Sequence, residues 1–235
     1  MPKSSNKIPA HICEHCSRAF HNEINLVNHS CEKKRRWFSK DEPHVRLAFM
    51  AWNRFYELNN RLQKHNAKKT FKEFVNSKYY LAFVRFGKHM VDLNAIMPAD
   101  FIDYVIKNNL PLDKWTHDVV YDMYLKQYLL NESPEQALSR TIEIMKDWST
   151  SNGEEWKDFF RKISPTLAAA WVKSGKISPW VLYNTDSADL LLDRCGQEQI
   201  SMITSAAKPT QWKILFMKNR DSSEWIRATL RQAGM

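Results

Sequence analysis

Cys13-Glu-His-Cys16-Ser-Arg-Ala-Phe20-His-Asn-Glu-Ile-Asn-Leu26-Val-Asn-His29-Ser-Cys31 holds three of the chain's four cysteines within nineteen residues. The frame is Cys13-x2-Cys16-x12-His29-x-Cys31. Two thiols three positions apart can clasp one ion from a tight turn, and a histidine a dozen residues on can close the loop from a short helix. The spacing and the thiolate-imidazole donor set point to one zinc ion. Phe20 and Leu26 supply the apolar side chains that so small a unit needs beside the metal. The opening residues are polar and basic with no secretion signal, which argues against disulfides.

Through His29 the stretch resembles the C2H2 class of ββα zinc fingers. The end of the motif departs from that class, whose last ligand comes four or more residues after the first histidine. Cys31 comes only two after His29, about 200° around a helix of 3.6 residues per turn. Both can reach one ion only if the helix stops or unwinds near Ser30. Cys31 is the favoured fourth ligand because a thiolate suits zinc, with His21 and His11 as alternatives. If the finger helix reads bases as C2H2 fingers do, the reading positions are Asn22, Asn25 and Asn28, and asparagine suits adenine. Asn22 also has the character of a helix N-cap.

Charge is uneven along the 235 residues. Residues 1–90 carry 18 basic and 7 acidic side chains, a net of +11, whereas residues 91–235 carry 17 and 19, a net of −2. The excess therefore sits beside the metal motif, as phosphate-backbone binding requires. Glu32-Lys33-Lys34-Arg35-Arg36-Trp37-Phe38 comes directly after Cys31. Lys33, Lys34, Arg35 and Arg36, with Arg18, are the candidate phosphate ligands. Trp37 and Phe38 are expected to dock the finger onto the larger helical domain. A nuclear-import signal has the same composition as Lys33–Arg36.

The remainder reads as helix, with only five glycines in the chain. The expected fold is an all-α body with a small N-terminal ββα-like zinc finger. We expect the finger with its basic tail and linker over 1–37 and the helical domain over 38–235. Two long antiparallel helices are predicted near 41–64 and 69–93. The first carries the stripe Val45, Ala48, Phe49, Trp52, Phe55, Tyr56 and Leu62, the second Phe71, Phe74, Val75, Tyr79, Ala82, Phe83, Phe86 and Met90. Arg54, Arg61, Lys72 and Lys78 could extend the basic surface. Shorter helices come after these, with starts marked at Ser133-Pro134, Ser164-Pro165, Ser178-Pro179, Asp186-Ser187 and Asp221-Ser222. No apolar run reaches the ~18 residues that span a bilayer.

Catalysis is not expected. There is no phosphate-binding Gly-rich loop, nucleophile elbow or His-Glu-x-x-His pair. Cys195 stands alone, and His44, His65, His89 and His117 show no ligand spacing. The finger and its tail, with Lys176-Ile-Ser-Pro-Trp-Val-Leu-Tyr183 and the expected helix Trp115…Tyr121…Tyr124, resemble zinc-finger proteins of large tailed bacteriophages. That resemblance implies a cytoplasmic protein of an infected bacterium and carries no activity with it. Two functional readings are open: an accessory protein that binds nucleic acid, DNA more than RNA, or an adaptor that docks on a polymerase, helicase or other protein.

Overall fold

The computed structural model describes residues 11–59 and 69–235, so Arg61, Leu62, Lys64 and His65 lie outside the described residues. The chain is an all-α body preceded by a small ββα unit. Strands β1 (His11–Ile12) and β2 (Ala19–Phe20) pair antiparallel, with His11 opposite Phe20, and helix α1 (Glu23–Val27) comes next. Fourteen further α-helices are present among the described residues. Contacts divide the molecule into two compact units, Met1–Asp92 with Pro98–Thr116, and Leu93–Met97 with His117–Met235.

The first unit contains the ββα element, α2 (Glu32–Phe38), α3 (Pro43–Asn59), α4 (Phe71–Val75), α5 (Tyr80–Asp92) and α6 (Pro98–Lys107). Helices α3 and α5 form its spine. His44 meets Gly87 and Phe55 meets Phe83, so the two run antiparallel, as the apolar stripes predict. Their approach is close because Gly87 has no Cβ: one built there would lie 2.0 Å from the His44 carbonyl oxygen. Trp115 is fully buried against Phe55, Phe83 and Phe86, and its indole N–H donates to the Leu110 carbonyl at 2.9 Å.

The helix expected over 69–93 is two helices. Asn76 and Ser77 interrupt it: the Asn76 amide donates to the Lys72 carbonyl, and the Ser77 hydroxyl accepts from the Tyr79 N–H. Such polar side chains offer the backbone local partners that compete with helical ones. Phe74 and Val75 before the break, and Tyr80, Phe83 and Phe86 after it, are all buried.

The second unit contains α7 (Asp118–Asn131), α8 (Pro134–Asn152), α9 (Phe159–Lys162), α10 (Pro165–Lys173), α11 (Pro179–Leu182), α12 (Ser187–Leu192), α13 (Gln197–Ala206), α14 (Pro209–Lys218) and α15 (Arg220–Gln232). The Ser133 start is a full capping box: its hydroxyl accepts from the Gln136 N–H, and the Gln136 side chain accepts from the Ser133 N–H, both at 3.2 Å. Ser164 and Ser178 cap α10 and α11 as expected. Helix α12 starts at Ser187 as marked, with Asp186 at its N-cap position, although the Asp186 carboxylate pairs with Arg231 and makes no capping bond; α15 starts at Arg220, before the marked Asp221-Ser222. A buried ion pair ties α7 to α8: Arg140 grips Glu132 through bonds of 2.6 and 2.8 Å and donates to the Gly175 and Lys176 carbonyls. Trp115, read with Tyr121 and Tyr124 as one helix, lies instead before α7 and in the first unit.

Candidate metal centre

Local geometry delivers four ligand atoms to one point. After β1, the Ser17 N–H donates to the Cys13 carbonyl and the Cys13 N–H donates to the Arg18 carbonyl, closing a tight turn. Ser17 takes the left-handed conformation, φ 62°, that such a reversal needs. The turn brings Cys13 and Cys16 to one side. Helix α1 presents His29 from just beyond its end, and the Phe20 ring packs on the imidazole with centroids 4.7 Å apart.

The short His-x-Cys ending works because α1 stops early. Asn28 caps α1, and Ser30 lies outside any helix. Cys31 has extended backbone, φ −103° and ψ 162°, and is the N-cap of α2, where its sulfur accepts from the Lys34 N–H at 3.4 Å. The anomaly in the spacing is thus a change of helix at the fourth ligand.

The ligand atoms of Cys13, Cys16, His29 and Cys31 all lie within 4.8 Å of one another, and the Cys16 Sγ is 3.2 Å from the His29 Nε2. Zinc bonds of about 2.0–2.3 Å in a tetrahedron require ligand separations of about 3.3–3.8 Å, so the cluster fits the ion with little adjustment. It can hold a metal ion. Neither His11 nor His21 joins it: His11 sits on β1, and His21 is exposed.

The electrostatics favour thiolate at the most enclosed position. Burial alone raises the Cys13 thiol, but hydrogen bonds from the backbone of Cys16 and His15 and from the neighbouring thiols hold it below its ordinary value. For Cys16 the Arg18 backbone N–H acts in the same direction, yet burial and the sulfurs of Cys13 and Cys31 push the thiol up. Three sulfurs so close cannot all ionise without a cation among them.

The cations after Cys31 separate into two sets. Lys34 donates through Nζ to the His29 carbonyl at 3.1 Å and to the Val27 carbonyl at 3.4 Å, tying α2 back to the end of α1. Arg36 is 18% exposed; it pairs with Glu32, donates to the Val75 carbonyl at 2.9 Å and lies 4.4 Å over the Tyr80 ring. Lys33 and Arg35 are exposed, as is Arg18, which leans over Phe20. Asn22 caps α1 by accepting from the Asn25 N–H at 2.9 Å, Asn28 is its C-cap, and all three asparagines are exposed.

Trp37 docks as expected, between His15 and Phe71, at 5.8 and 5.7 Å between ring centroids. Phe38 meets the same His15 ring edge-on at 6.1 Å between centroids, yet it stays 69% exposed and is not buried against the helical body. Arg54 is engaged by Asp103 and Glu57, whereas Lys72 and Lys78 are exposed. Two apolar residues three apart on the outer side of α1, Ile24 and Val27, are 70% and 65% exposed, and their spacing alone does not distinguish them from core positions. Among the described residues no helix is long and apolar enough to cross a membrane. Comparison with protein-family models, with curated proteins and with solved structures finds no match to this chain, so the bacteriophage resemblance gains no support from them.

Proposed function

We propose that the chain is a zinc-dependent accessory protein that binds nucleic acid, DNA more than RNA, without catalysis of its own. The observation that supports this most is the division of labour on α2. Lys34 and Arg36 hold the helix against the finger and the body, while Lys33 and Arg35 stay in solvent directly beside the metal cluster. Zinc, when bound, supplies a structural crosslink through Cys13, Cys16, His29 and Cys31. The turn, α1 and α2 then hold a cationic edge in place, and Arg18, Lys72 and Lys78 add to the charge of the same unit. The cytoplasmic, phage-encoded setting belongs to the same reading.

The test is the salt dependence of duplex binding in the double variant Lys33→Ala/Arg35→Ala. Two lost phosphate contacts should flatten the slope of log K against log salt by about 2 units, equally for all sequences. Substituting all four cations would confound binding with loss of the α2 anchors. Parental affinity and slope in the double variant would overturn the proposal.

One observation favours an adaptor as the second reading: the solvated pair Ile24 and Val27 on α1. Ile24→Ser/Val27→Ser should then abolish capture of a protein partner in nuclease-treated lysate and leave duplex binding unchanged.

A further inference from the structure

The near-neutral balance of residues 91–235 conceals a second concentration of positive charge. Residues 117–207 carry 9 basic and 13 acidic side chains, whereas residues 208–235 carry 6 basic and 2 acidic. The late cations cluster on α14 and α15, and three of them, Lys213, Arg220 and Arg227, line one cavity of about 660 Å³ within the second unit. Tyr183 and Phe216 form aromatic parts of its wall, and Met217, 74% exposed, adds an apolar lip.

The wall is built rather than incidental. Phe216 is fixed in an aromatic cluster with Trp180, Trp212 and Tyr183, at 5.1, 5.7 and 6.3 Å between ring centroids. The Tyr183 hydroxyl donates to the Ala207 carbonyl at 2.6 Å, which holds its ring. Arg227 is steadied from beneath by the buried Asn184, whose Oδ1 accepts from its Nη2 at 3.3 Å and from the Ser223 hydroxyl at 2.6 Å. Arg220 shares one edge with Glu224, and Lys213 has no ion pair among the described residues.

A rigid aromatic wall beside three cations and one carboxylate matches a base stacked next to its own phosphate. We infer that this cavity is a second nucleic-acid site, taking one or two unpaired nucleotides of a single strand. Phe216 and Tyr183 would meet the base, and Lys213 and Arg227 the phosphates. The site lies wholly in the second unit and does not rest on the reading of α2.

The experiment uses the full-length, zinc-loaded protein and a fluorescein-labelled oligothymidylate of about 15 nucleotides, near the upper site size of single-strand binding modules. Lys213→Ala/Arg227→Ala should flatten the salt slope by about 1.4 units, at about 0.7 per phosphate on a single strand. Phe216→Leu should weaken binding by about 5- to 150-fold through lost stacking. Photocrosslinking of an iodouracil-containing strand to unsubstituted protein gives a readout independent of any variant's folding. Crosslinks within Tyr183 or α14 support the site, and crosslinks confined to residues before 93 overturn it. So would unchanged binding in the folded double variant, or equal displacement by polyglutamate of matched charge, which would mark an acidic-peptide surface. Lys33→Ala/Arg35→Ala is run in parallel on duplex, so the two proposals fail separately.

Discussion

Cys31 belongs to the cluster that can hold a metal ion and is also the N-cap of α2. Cys31→Ala should release zinc to a competing chelator far more readily than the parent, as read by elemental analysis after dialysis, and should loosen α2 because the Lys34 N–H loses its acceptor. Cys13→Ser should unfold the finger but keep most of the helical circular dichroism, since the body has its own core. Stoichiometric zinc retained by Cys31→Ala would move the fourth ligand elsewhere. A second residue-scale expectation concerns Asp103, whose carboxyl is lowered to about 2 chiefly by the bidentate Arg54 guanidinium. Its folded value lies below the ordinary 3.8, so its contribution is complete above that value and is lost as pH falls towards 2. With Arg54 partly solvated, that contribution is about 1–2 kcal/mol. Urea denaturation of Asp103→Asn should show the deficit at pH 7 and its disappearance near pH 2.

Helices α3 and α5 meet where Gly87 lets backbone approach backbone. Gly87→Ala would set a methyl group against the His44 carbonyl, an atom that cannot swing aside as a side-chain tip can. The helices must separate, at a cost of about 3 kcal/mol. A lowered thermal midpoint would show it, and an unchanged one would mean that the pair slides freely. Between α7 and α8 the Glu132–Arg140 pair poses the opposite case, in which losing one partner strands the other. The Glu132 side chain is 1% exposed, and Arg140 has two backbone carbonyls as its other acceptors. Glu132→Ala should therefore cost about 3–5 kcal/mol, visible as a fall in the urea midpoint.

The two compact units have separate cores, one around Trp115, Phe83 and Phe86, the other around Phe159, Phe160, Trp180 and Leu191. Removing zinc by chelation should raise amide exchange through residues 11–38 while protection of 117–235 stays as it was. Trp37 and Arg36 connect the finger to α4 and α5, so a smaller rise should reach 71–80. Equal exchange of every segment with and without chelator would show that the finger does not need metal to fold. Charge is also a property of this scale. Averaged over residues 91–235 it nearly vanishes, but on α14 and α15 it collects around one cavity.

Much of this protein was legible from residue order alone. Ligand spacing named Cys13, Cys16 and His29, and thiolate chemistry favoured Cys31 over His21 and His11, because donor chemistry and short-range chain geometry constrain a metal cluster within a few turns of backbone. The apolar period and the scarcity of glycine yielded the all-α body, and Ser-Pro dipeptides marked three helix starts because capping is local. Local rules could not say which of four adjacent cations faces inward. Lys34 and Arg36 are held by carbonyls of His29 and Val75 and by the Tyr80 ring, and Val75 and Tyr80 lie about forty residues away in sequence. Nor could they foresee the exposure of Phe38, or the meeting of α14, α15 and Tyr183 around a cavity. Those were decided by tertiary packing, since burial and charge pairing depend on which distant surfaces meet.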